Sequence, residues 1–145
     1  MVLALFLLPV QVGAGYAGGI TISEGPEPQH SIDTSFSACE WVTNPEWEEC
    51  IKKHRSMWED LLKENLDRLK SALPSEKVAE LTATQESWRV FLEGDQKFVF
   101  SSPDPYRYMG REGYIAAQMH FMLKVRERAL DLGEYADVFT KKFEE

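Results

Sequence analysis

Cys39, Cys50 and His54 are the residues whose types and spacing come nearest to doing chemistry. Cys50 and His54 stand four positions apart, which puts both side chains on one face of a helix. A thiolate and an imidazole so placed are the kind of donors that hold zinc. Two cysteines and one histidine at short spacing, with no fourth ligand nearby, make a weak metal pattern, so no metal or cofactor is expected. In an oxidising compartment the same two cysteines read as a disulfide. Such a bond would close a loop of about a dozen residues and contribute roughly 2–4 kcal/mol. Its place is the junction between an N-terminal arm and the first helix. Zinc remains the competing reading.

Catalysis needs a converging acid, base or nucleophile. The chain has three histidines, His30, His54 and His120. His120 falls among Met119, Phe121 and Met122 and reads as a partly buried histidine with a hydrogen-bond partner. Glu48-Glu49, Glu59-Asp60 and Glu144-Glu145 are carboxylate pairs, but neighbours in sequence point to different sides of a helix. Gly-rich phosphate loops, His-Glu-x-x-His and Gly-x-Ser-x-Gly do not occur. No catalytic residue is nominated, and the chain reads as a non-enzyme.

Ser101 to Gly113 carries Pro103, Pro105, Gly110 and Gly113, which makes a long connection. Long loops on rigid scaffolds often bind partners, and Tyr and Arg are favoured interface anchors. Asp104, Tyr106 and Tyr108 are therefore the candidate partner-binding residues. The alternative is that the tyrosines fold back over the end of the bundle.

Helices must position these groups. Asn44-Pro45-Glu46 is a helix start, with Asn as cap and Pro in the first turn. Trp47, Ile51, His54, Trp58, Leu62, Leu66, Leu69 and Leu73 then recur at helical spacing up to Pro74. Ser75 is placed as the cap of a second helix whose face is Val78, Leu81, Gln85, Trp88 and Leu92. It ends at Gly94 or in a last turn reaching Phe98 to Phe100. A third helix runs from Tyr114 to Leu132, with Ile115, Gln118, Met122, Val125, Ala129 and Leu132 as its stripe. Gly133 is the expected C-cap, and Glu134 to Phe143 a short fourth helix. The fold class is all-α: an antiparallel bundle of three long helices plus a short C-terminal helix, with an extended N-terminal arm.

Val2 to Val12 is apolar except for Pro9 and Gln11. That is too short for a membrane span, which needs about 20 apolar residues. Followed by Gly15-Tyr16-Ala17, it reads as a signal peptide over residues 1–17. Residues 18–38 read as an extended or disordered arm and 39–145 as the helical domain, with no membrane anchor after cleavage. The expected location is periplasmic or secreted. A net charge of -8 argues against nucleic-acid or anionic-membrane partners and permits a cationic one.

The order of these pieces resembles the DUF1311 family, the lysozyme inhibitor LprI-like domains, over roughly residues 39–132. The resemblance rests on Cys39 through Glu46-Trp47-Glu48-Glu49-Cys50, then a Leu-rich helix from Met57 to Leu73. Gln85-Glu86-Ser87-Trp88 supplies Gln-x-x-Trp on the second helix, and Arg128-Ala129-Leu130-Asp131-Leu132 ends the last long one. The chain departs at Leu92-Glu93, where the family commonly has Arg-Asp. Gln96 and His120 stand where it often carries a second cysteine pair. The resemblance implies a small exported helical protein, with Gln85, Trp88, Arg128 and Leu132 mainly structural, and lysozyme inhibition as its activity. Trp88 is expected in the core between the first and third helices, and Arg128 paired with an acidic group or with Gln85. The leading expectation is a non-enzymatic binding protein for a protein partner, a cationic lysozyme. The rival is an envelope accessory domain that binds other envelope proteins through a helical groove, with an apolar strip beside Trp47 or Trp58.

Overall fold

The computed structural model describes residues 30–40, 42–104 and 106–141. Four helices follow in order: α1 (Ser31–Ser37), α2 (Asn44–Ala72), α3 (Ser75–Val99) and α4 (Gly110–Lys141). No strand occurs among the described residues. The expected signal peptide over residues 1–17 lies outside them.

Local chemistry fixes the helix starts one residue from where the spacing put them. Thr43, not Asn44, caps α2, because the Glu46 carboxylate reaches back to accept from Thr43 N at 2.7 Å and Oγ1 at 2.9 Å. Pro74 caps α3 and Ser75 is its first helical residue. Gly94 sits inside α3 without ending it.

α2 and α4 make the core. Ile51, Trp58 and Leu69 on α2 meet Ile115, Met119, Met122, Val125, Ala129, Leu132 and Ala136 on α4, all of them buried. The two helices run in the same direction, since Asn65 Nδ2 donates to Ala129 O at 3.0 Å and Arg68 Nη2 to Asp137 Oδ1 at 2.7 Å. α3 runs back in the opposite direction on the outside of this pair, giving an up-down-up order along the chain.

Two expectations about the chain's ends need correction. The third and fourth helices are one continuous helix, and Gly133 does not cap it. The apolar stripe crosses Gly133 unbroken, because Leu132 and Ala136 both pack on Leu69. A Cβ on Gly133 would lie 3.0 Å from Asn65 Nδ2, so glycine here admits the Asn65 amide against the α4 backbone. Helix formation also begins early, at Gly110 with φ +67, which shortens the expected connection.

The extended arm is the second correction. Within it, Ser31–Ser37 forms a helix that buries Ile32, Asp33 and Phe36. His30 caps it: its Nδ1 accepts from Ile32 N at 3.2 Å, and Asp33 Oδ2 accepts from His30 N at 3.2 Å. Asp33 faces Arg126 of α4 in a two-pronged ion pair, Nε to Oδ1 at 2.7 Å and Nη2 to Oδ2 at 2.9 Å. The Arg126 guanidinium lies 5.6 Å from the Trp58 ring centroid. Burial of two apolar side chains plus this pair accounts for a short helix that would be marginal alone.

α3 is the least anchored long helix. Leu92 is its only buried residue, and Trp88 is half-buried at the edge of the core. Few buried apolar contacts mean a low free energy of local opening. Amide hydrogen exchange by mass spectrometry is therefore expected to deprotect α3 before α2 or α4. Equal protection across all three would contradict the packing described.

Candidate functional site

The first candidate lies where α1 meets α2. Cys39 and Cys50 form a disulfide with Cα atoms 6.6 Å apart. His54, one turn beyond Cys50, is buried beneath it. Its Nδ1 lies 2.8 Å from Cys50 O and 3.3 Å from Cys50 Sγ. Its Nε2 lies 3.0 Å from Ser35 Oγ on α1. The arrangement fits one neutral tautomer, with Nδ1–H donating to the carbonyl and Nε2 accepting from the serine hydroxyl. Phe36 meets the same imidazole edge-on at 5.3 Å. The disulfide, His54 and the Asp33–Arg126 pair thus tie α1 down at successive points along its length.

The second candidate is the end where α3 passes to α4. Phe100, Tyr114 and Tyr106 meet edge to face in succession, with centroids 5.3 Å and 5.1 Å apart. Asp104 Oδ1 accepts from Tyr106 N at 3.0 Å and shapes the turn. Tyr106 therefore folds back on the bundle, whereas Tyr108 projects with 77% of its surface exposed. The three loop residues do not converge on one point. Phe98, in the last turn of α3, is 81% exposed, and Phe91, two turns earlier on the same side, is 61% exposed.

No family model, no curated protein and no solved structure matches this chain. The site is thus described by its own geometry.

Of the motif residues, Arg128 Nε donates to Gln85 Oε1 at 3.0 Å, joining α4 to α3. Trp88 lines a shallow cleft with Phe91, Lys124 and Arg128, at the bundle's edge instead of its centre. Leu132 is fully buried against Leu69. His120 is exposed, not partly buried; it stands in a groove with Asp95, Phe98, Val99, Ala117 and Phe121. That groove has an apolar wall, and neither the buried Trp58 nor the half-buried Trp47 lines it. The sequence puts Phe91 alongside the apolar face of the second helix and Phe98 in its last turn, and names neither as a surface aromatic, although their i, i+7 spacing marks one side of α3. Sequence reasoning missed the partnership of Asp33 and Arg126, which stand far apart in the chain. No helix among the described residues is long and apolar enough to cross a membrane.

Proposed function

We propose that this is an exported, non-enzymatic protein-binding domain, that it meets a cationic partner with the α3–α4 end of its bundle, and that the partner is a lysozyme. The observation that carries the reading is the pair of exposed aromatics at that end, Phe98 and Tyr108. Large aromatics in water are costly and are used as anchors at interfaces. At the same end Phe100, Tyr114 and Tyr106 meet edge to face, which gives the loop an ordered aromatic base and limits the entropy lost on binding. The charge of -8 favours encounter with a basic protein. The disulfide supports passage through an oxidising compartment. The resemblance to LprI-like domains supplies the choice of lysozyme.

The test is inhibition of several lysozyme types by the purified, oxidised protein. Inhibition of a cationic lysozyme is expected, weakening as salt rises. The double substitution Phe98→Ala and Tyr108→Ala is expected to weaken it about 30-fold or more, the effect of losing a strong anchor. Folded protein that inhibits no lysozyme would remove this reading.

The groove between α3 and α4 favours a second reading, an accessory domain that holds a helix of another envelope protein. Phe98, Val99 and Phe121 offer its apolar wall, and Ala116 and Ala117 its floor. Tyr108 lies outside this groove and Phe98 lines it, so single variants separate the two readings. Lysozyme inhibition weakened by Tyr108→Ala supports the first; capture of an envelope protein that is lost in Ala117→Glu and kept in Tyr108→Ala supports the second.

A further inference from the structure

The Cys39, Cys50 and His54 donor atoms all lie within 4.8 Å of one another. We propose that the dithiol form of this protein binds a zinc ion through Cys39 Sγ, Cys50 Sγ and His54 Nδ1, with water as fourth ligand. Disulfide formation and metal binding are then alternative uses of the same three side chains. This inference is independent of the binding function proposed above.

Three observations support it. A tetrahedral zinc with Zn–S of about 2.3 Å and Zn–N of about 2.0 Å spaces sulfur and nitrogen about 3.5 Å apart. His54 Nδ1 lies 3.3 Å from Cys50 Sγ and 4.0 Å from Cys39 Sγ, values on either side of that requirement. The second observation is the outer partner. Ligating imidazoles usually engage their other nitrogen in a hydrogen bond that fixes the ring, and Ser35 Oγ already lies 3.0 Å from Nε2. The third is that contacts other than the S–S bond dock α1, namely the buried Asp33–Arg126 pair, Ile32 and Phe36. They would keep the donors together once that bond opens. Cys39 is half-exposed, which gives a reductant and then the metal a way in.

The chemistry balances. An external dithiol attacks the Cys39–Cys50 bond through a mixed disulfide, is itself oxidised to a disulfide, and leaves two thiols on the protein. Zinc then displaces the two thiol protons to solvent. The imidazole proton moves from Nδ1 to Nε2, where Ser35 Oγ accepts it in a hydrogen bond.

Cobalt(II) is the probe, added to the full chain after reduction with a phosphine. The expected result is one equivalent bound, with a thiolate charge-transfer band and the visible bands of tetrahedral cobalt. Zinc should bleach both bands, and the oxidised protein should show neither. Cys39→Ser and His54→Gln should each abolish the tetrahedral spectrum, and Ser35→Ala should weaken binding about 10-fold. A reduced protein that keeps its helical circular dichroism but shows no thiolate–cobalt band overturns the proposal. So does an unchanged band in His54→Gln, which would mean simple two-thiol chelation. A reduced chain that unfolds and does not refold on adding cobalt overturns it equally.

Discussion

Replacing Arg126 with methionine is expected to lower the free energy of unfolding by about 3–5 kcal/mol, because it takes the cationic partner away from the buried Asp33 carboxylate. Side-chain exposure is 11% for Arg126 and 4% for Asp33, so water cannot replace the lost partner without α1 moving. The same loss is expected for Asp33→Leu alone, which leaves a buried guanidinium. The double variant Asp33→Leu/Arg126→Met should recover most of it, since a buried ion pair and a packed apolar pair are often close in stability. Urea denaturation of the four proteins checks this. A single-variant loss below about 1 kcal/mol would put the pair in the class of exposed salt bridges. Undocking of α1 sets a ceiling on the penalty, and faster amide exchange confined to residues 31–37 would reveal it.

Trp58→Ala should cost about as much, roughly 3–5 kcal/mol, by removing the largest fully buried side chain among the described residues. The ring lies in the α2–α4 core, with His30 5.3 Å away on one side and Arg126 on another. Its loss therefore leaves a cavity and a guanidinium without its aromatic face. The costs of Trp58→Ala and Arg126→Met should not add, because both act on one contact. Thermal and urea unfolding of the single and double variants measure the shortfall. Full additivity would mean that the arginine and the ring are energetically separate.

Much of the helical layout was legible because its signal is local. The α2 spacing located Ile51, His54, Trp58 and Leu69 in the core, and all four are buried. It missed Asn65, which is buried where the apolar pattern offered half-buried Leu66. A polar residue at a core position reads as a surface residue until its partner is known. Seven residues are too few for periodicity to show, so α1 looks like part of an arm in the sequence; Ile32 and Phe36, four apart, are its apolar trace. Glycine commonly ends helices, so Gly133 looks like a stop, and it is Asn65, far away in the chain, that accounts for it. The disulfide partners could be paired from their count alone. The exposed aromatics of α3 carried no such arithmetic, since exposure depends on where the other helices lie.

The Asn65 contact has a consequence for how α2 and α4 align. Sliding α4 by one turn, about 5.4 Å, would bring Ala129 or Asp137 to the place Gly133 occupies. A side chain would then press on the Asn65 amide, and that amide would lose the Ala129 carbonyl it serves. Leucines and alanines tolerate such slippage, since one oily turn resembles the next. The amide and the glycine act as key and keyway, and hold two long helices to a single axial setting.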